Sequence, residues 1–323
     1  MSSGSSLEID GYGSEHIKGK WSQRTATAPE NVKIESYFHQ TAWLLDADAT
    51  LYVVNSFSLN SFPTVAADLT RVRRSQMFPQ FGWMVTRDYA QEILHFWVDN
   101  SDASWDWDWR LQAVSLRRGR HALVPEVSRC FHSGSSGAHI NGWSQALIFS
   151  NMIYNHDPEA KLQNLHLLHV DVYAEYIASE LKRAKVISME DGFNPCLVET
   201  FPEHLRQGPV LISLEAYTIS DTRSSLVLLA KCLHAYPDHA FDHYEGVMQY
   251  TITAITPHTT LYVMACPLSP YCEVIGARMT AEPREGALEA ISQYDEHWRL
   301  SRWLRNTEEV KYYSHRATYY GLG

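Results

Sequence analysis

The densest run of chemistry-bearing side chains is Trp105-Asp-Trp-Asp-Trp109, in which two carboxylates alternate with three indoles. A carboxylate so placed can take a proton from an alcohol, and an indole face can stack on a sugar ring. The pattern also has a structural use. Asp106 and Asp108 at a helix start would cap it and favour its dipole, while Trp105, Trp107 and Trp109 would be core. Arg117-Arg-Gly-Arg120 follows. It is either a site where Arg117, Arg118 and Arg120 hold diphosphate or acceptor, or a solvated basic turn. Further on, Gly134-Ser-Ser-Gly-Ala-His-Ile-Asn-Gly142 is flexible by composition. Its His139 and Asn141 can donate to phosphate, and a plain polar surface loop is the alternative. Glu126 offers a further carboxylate for a glycoside-hydrolase pair with Asp106 or Asp108, although nothing in the spacing supports it.

Elements that would position these residues follow from hydrophobic periodicity. Residues 1–30 read as loop. Ile34, Tyr37, Phe38, Thr41, Leu44 and Leu45 predict an amphipathic helix from Asn31 to about Asp46. Thr50 to Phe57 reads as a buried strand, Ser58 to Gln80 as a loop, and Asp88 to Val98 as a helix. A short helix opens at Trp105, and Leu116 to Arg120 is a turn. Helices are predicted over Trp143–Tyr154 and Asp171–Ala184, the latter with Asp171 as N-cap. Pro209 to Leu214 is a strand. Ser220 or Asp221 caps a helix to His234 whose Leu226, Leu229 and Leu233 share one face. Val247–Thr256 and Thr259–Cys266 form a hairpin. A Trp-bearing helix over Gly286–Arg305 precedes a Tyr-rich end. The order fits α/β or α+β.

Composition narrows the class of protein. The chain has 323 residues, 45% hydrophobic and 20% charged, which excludes disorder over most of its length and suits one large domain or two ordinary ones. A net charge of −10 excludes a nucleic-acid groove as the main surface. No apolar run approaches the ~18 residues of a membrane span. The small, polar start, Met1-Ser-Ser-Gly-Ser-Ser-Leu-Glu8, lacks the features of a secretory leader and reads as a tag or an unnatural beginning. None of the five cysteines forms a CxxC pair, so a zinc knuckle is not expected, and Cys266 and Cys272 flank a loop short enough to close.

Several stretches together carry a resemblance. They are Phe78-Pro-Gln-Phe-Gly-Trp83, Trp105–Trp109 with Arg117–Arg120, Pro125-Glu-Val-Ser-Arg129, Asn194-Pro-Cys196, Leu229-Ala-Lys-Cys-Leu-His234 and Pro267-Leu-Ser-Pro-Tyr271. In this order and spacing they resemble the β-1,2-N-acetylglucosaminyltransferases of glycosyltransferase family 13. The later pieces are shared with its O-mannose branch, and the earlier ones mainly with its N-glycan branch. The likeness runs from about Asn31 to Tyr271. It implies an α/β, GT-A-like (Rossmann-like) domain over 31–278, with 279–323 as a C-terminal helix and tail. It also implies transfer of N-acetylglucosamine from UDP-GlcNAc to O2 of a mannose-terminated glycan or glycoprotein, with inversion and with Mn²⁺. The setting it implies is the Golgi lumen, with a type II membrane anchor outside this chain.

Carried onto residues, the resemblance makes Asp108 the base, with Asp106 second. It makes Gly134–Gly142 a loop that closes on the donor. Arg74 matches an arginine ahead of the Phe78–Trp83 segment and has a structural reading. Val53 and Ala122 stand where the family often has two cysteines, as expected if a disulfide had been exchanged for apolar packing. Cys196 and Cys232 match cysteines of the O-mannose branch, and a bond between them would imply an oxidising compartment. The family's acidic metal motif would fall near Ser22–Ala28, which has neither Asp nor Glu. Leu7-Glu8-Ile-Asp10 is the nearest substitute, making Glu8 and Asp10 the candidate metal ligands. Phe57-Ser-Leu59 replaces a family Trp-Asn-Asp. The expectation is a chain incomplete on its nucleotide side.

Overall fold

The computed structural model describes residues 28–97, 117–132, 145, 148–187, 201–206, 208–216, 226, 229–230, 233–236, 242–253 and 259–274. Helix α1 (Ala28–Ala47) begins before the predicted Asn31 and buries Tyr37, Thr41, Leu44 and Leu45. Asp48 turns the chain by accepting from Thr50 N and Oγ1 at 2.9 and 2.5 Å. Strand β1 (Leu51–Asn55) is buried throughout, as its unbroken apolar run requires.

The predicted Ser58–Gln80 loop contains a strand, β2 (Val72–Ser75), whose two arginines disguise it in sequence. After β3 (Trp83–Met84) comes α2 (Arg87–Trp97), where Thr86 Oγ1 accepts from Tyr89 N at 3.2 Å. Strand β4 (His121–Pro125), which periodicity did not single out, completes a sheet ordered β2-β4-β1-β3. Strands β1 and β4 are parallel, and β2 and β3 run antiparallel at its edges. Val53 and Ala122 are partners across β1 and β4, and both are buried. Apolar packing therefore occupies the place where a disulfide exchange was expected.

Helix α3 (Val170–Arg183) leads to a second sheet. Its strands are β5 (Lys185–Val186), β6 (Val210–Ala216), β7 (His243–Tyr244), β8 (Val247–Thr251) and β9 (Thr260–Pro267), followed by the single turn α4 (Tyr271–Val274). The order is β5-β6-β9-β8-β7; β5, β6 and β9 are parallel, and β8 pairs antiparallel with β9 as the predicted hairpin. Cys266 and Cys272 are joined as a disulfide around the Pro267–Tyr271 turn. One core cluster holds Tyr37 and Leu44 of α1, Leu123 of β4, Ile177 of α3 and Met264 of β9, so the two sheets share an interior. Leu226, Leu229 and Leu233 are buried together against β6 and β9.

Two predicted helices change. Within the predicted Trp143–Tyr154 helix Gln145 is helical, but Phe149–Asn151 is a 3-10 turn, after which Met152 is extended. Distant partners pull the chain straight: Ile153 N donates to Ser61 O at 2.7 Å and Asn155 N to Ser128 O at 2.7 Å. Asp171 is not the N-cap of α3. His169 is extended there and its side chain accepts from Asp171 N, leaving Asp171 in the first turn.

Gly82 shows why the Phe78–Trp83 segment needs a glycine. Its φ is +56°, and a Cβ would lie 2.2 Å from Ser56 Oγ and 3.0 Å from Cys130 Sγ. Its carbonyl accepts from Ser56 N at 2.6 Å and Ser56 Oγ at 2.8 Å, which fastens the segment to the end of β1. Gly82→Ala is expected to cost about 3 kcal/mol in urea unfolding. An unchanged midpoint would mean that this close approach is not a feature of the native state.

Candidate active site

Most of the predicted site falls outside the described residues. Trp105, Asp106, Trp107, Asp108 and Trp109 lie in 98–116, His139 and Asn141 in 133–144, and Glu8 and Asp10 in 1–27. Cys196 and Cys232 also lie outside them. The frame on either side of these stretches is described.

After the Trp-Asp segment the chain is pinned at Arg117. Arg117 donates to the backbone carbonyl of Gln76. Gln76 in turn exchanges hydrogen bonds with Glu245, from Nε2 to Oε1 at 2.9 Å and from Glu245 N to Oε1 at 3.1 Å. Arg118 and Gly119 have φ of +50° and +74°, which makes the predicted basic stretch a tight turn. Arg120 grips Glu92 of α2 with two bonds of 3.0 and 2.8 Å and lies 4.6 Å over the Tyr89 ring. The hydrogen bond from Arg120 holds the Glu92 carboxyl below its usual range. Both arginines predicted to bind substrate thus have partners within the protein.

A second pin brackets the Gly/Ser stretch. His132 Nδ1 is 3.0 Å from Gln145 Oε1, and Gln145 Nε2 donates to His132 O at 2.9 Å. Gln145 is fully buried, and the His132 ring stacks on Phe149 at 4.2 Å with Phe81 at its edge. Burial lowers the His132 pKa, which favours the neutral ring. No sequence pattern reveals this pair, because a histidine and a glutamine flanking a polar stretch carry no signal of their own. Nearby, burial pushes the Cys130 thiol up to about 11, so it stays protonated near neutrality.

Buried charge holds these parts together. Glu126 accepts from Ala67 N at 2.9 Å, Asp68 N at 3.0 Å, Arg71 at 3.0 Å and Arg73 at 2.6 Å. Burial pushes its carboxyl up, but Arg73, Arg71 and the two amides outweigh that and hold it at about 2. A carboxylate so saturated is neither an acid nor a nucleophile, which removes Glu126 from any glycoside-hydrolase pair. Arg73 also donates to Gln249 O at 2.5 Å and faces Asp242 at 3.6 Å. Arg74 is structural. It donates to Asp48 Oδ2 at 2.6 Å, Leu168 O at 2.7 Å and Thr50 Oγ1 at 2.5 Å. Burial opposes ionisation of Asp48, yet the bonds from Thr50 and Arg74 hold it at about 2.

Among the described residues no group of three or more His, Cys, Asp or Glu could hold a metal ion. The carboxylates buried here face arginines, and Glu8 and Asp10, the candidate Mn²⁺ ligands, lie outside the described residues.

The GNT-I family model matches residues 28–197, and the chain belongs to the GNT-I family. The match takes in the Phe78–Trp83, Trp105–Trp109, Arg117–Arg120 and Pro125–Arg129 segments. The chain is similar to the alpha-1,3-mannosyl-glycoprotein 2-beta-N-acetylglucosaminyltransferase of Arabidopsis thaliana, 27% identical over 155 residues. That alignment covers 48% of this chain and 34% of the relative, so the match spans about a third of the relative's length.

Glu126→Gln is expected to cost about 3 kcal/mol at pH 7, because it leaves Arg73 buried without its carboxylate. Its folded pKa of about 2 lies below the ordinary 4.5. The stability it contributes is therefore present above the ordinary value and is lost as pH falls through the folded one. In urea unfolding the gap between wild type and variant should narrow from pH 7 to pH 3. A constant gap would contradict ionised Glu126 as the source.

Proposed function

We propose that the chain is an inverting β-1,2-N-acetylglucosaminyltransferase that moves N-acetylglucosamine from UDP-GlcNAc to O2 of a mannose on a glycoprotein. The observation that carries this reading is the family match across 28–197, in which the Trp-Asp segment and the basic turn fall together. Asp108, with Asp106 as the alternative, accepts the proton of the mannose hydroxyl. The oxygen bonds to the anomeric carbon as the bond to the diphosphate breaks, and the electron pair leaves with UDP. Trp105, Trp107 and Trp109 line the acceptor, and His139 and Asn141 donate to the diphosphate. Arg117 and Arg120 act mainly by fixing the turn that follows the base.

Among the described residues no group of side chains could serve as the ligand set for Mn²⁺. A Golgi-lumenal, type II setting belongs to the same proposal. Among the described residues no helix is long and apolar enough to cross a membrane. The Arabidopsis relative is named for an alpha-1,3-mannosyl-glycoprotein acceptor, and the pieces shared with the O-mannose branch at Leu229–His234 and Pro267–Tyr271 lie beyond the matched residues. A non-catalytic glycan-binding module is the second reading, favoured by the lack of Asp or Glu across Ser22–Ala28.

Asp108→Asn should lower the turnover of GlcNAc transfer to a mannoside by about 10²–10⁴-fold with little change in acceptor KM. Wild-type turnover in this variant would remove Asp108 from the role, and the same loss in Asp106→Asn alone would transfer the role to Asp106.

A further inference from the structure

Beyond β4 the chain turns one ring inward and its neighbour outward. His132 is packed between Phe81 and Phe149, whereas Phe131 is 44% exposed. The Phe131 ring lies 5.8 Å from Tyr154, which lies 4.1 Å from the exposed His156. The row is held from behind. Ser128 and Tyr154 form a parallel bridge, and buried Asn155 bonds Ser128 through its backbone at 2.7 Å. The Asn155 side chain closes on Asp157 in both directions, at 2.8 Å each. Single exposed apolar residues such as Trp43 are ordinary. A contiguous row of rings on a fixed backbone is not, since water gains nothing by wetting the ring faces.

The surroundings of this row select its ligand. The exposed acceptors that follow it in the chain are Asp157 and Glu159. The net charge of −10 disfavours a polyanion. A pyranose ring fits the combination, because its axial C–H bonds lie on an aromatic face while its equatorial hydroxyls meet carboxylates and imidazole. The row also follows the carboxyl ends of the parallel strands β1 and β4, the side on which α/β sheets bind ligands.

We propose that Phe131, Tyr154 and His156 form a platform that stacks a pyranose ring of the acceptor glycan beyond the mannose that receives the transfer. This rests on the glycan-acceptor reading above. Titration of the full chain by NMR, without donor, would use mannotriose and methyl α-mannoside as probes. Phe131→Ala should weaken mannotriose binding about tenfold, the size of one lost ring contact. Phe131→Trp should restore it, His156→Ala should weaken it less, and methyl α-mannoside should change less than about twofold. Thermal midpoints should not move, because Phe131 is outside the core. Equal mannotriose affinity in wild type and Phe131→Ala, or no mannotriose binding by wild type, would overturn the platform. Mannotriose bound as expected but no GlcNAc transfer by wild type would sink the transferase reading and leave the platform standing.

Discussion

Two consecutive arginines inside a protein are a severe constraint, and β2 carries them as Arg73 and Arg74. Neighbouring side chains on a strand point to opposite faces, so β2 carries buried positive charge on both. Each face must bring an anion and a set of carbonyls to a fixed distance. On one face Glu126, Asp242 and the Gln249 carbonyl converge on Arg73. On the other, Asp48, Thr50 and the Leu168 carbonyl converge on Arg74. Those partners come from the corner after α1, the residue after β4, the turn before α3, the residue before β7 and the middle of β8. Little of the architecture can shift without stranding a guanidinium.

Buried ion pairs of this kind add little net stability over apolar packing, because desolvation offsets the attraction. Their effect here is to specify an arrangement. With β2 in register, Gln76 at its end reaches His243 through its backbone and Glu245 through its side chain, and offers its carbonyl to Arg117. The residue that follows the Trp-Asp segment is therefore set by a strand more than forty positions earlier in the chain, a separation of 41. On the other side of β4, the His132–Gln145 pair and the Gly82–Ser56 contact fix the rim from which Phe131 projects. The described residues flanking the candidate chemistry, Arg117, His132 and Gln145, are thus held by hydrogen bonds to distant parts of the chain or to one another.

Hydrophobic periodicity made β1, α2, α3 and the β8–β9 hairpin legible, because each buries a face or a run that its own sequence displays. Strand β2 was not legible, since Val-Arg-Arg-Ser reads as solvated loop until distant carboxylates are known. Glu126 is 53 residues from Arg73, and no local pattern links them. Trp143–Tyr154 has helical spacing and Gln145 is helical, but towards Tyr154 hydrogen bonds to Ser61 and Ser128 outweigh local propensity. Val53 and Ala122 were legible as a pair only through the family resemblance, and their register confirms that they meet. The motifs identified the family, while the neutralising roles of Glu126 and Asp48 emerged only from the packing.

The proposed role of this frame is to present a mannose hydroxyl to a nucleotide-sugar donor, and the linkage formed tests it most directly. The full chain would be supplied with UDP-GlcNAc, Mn²⁺ and a mannose-terminated glycopeptide, and the product examined by NMR. A correlation from the GlcNAc anomeric proton to mannose C2, with the large coupling of a β-anomer, is the result predicted. Glycopeptide bound but returned unmodified, with UDP-GlcNAc intact or merely hydrolysed, would contradict it.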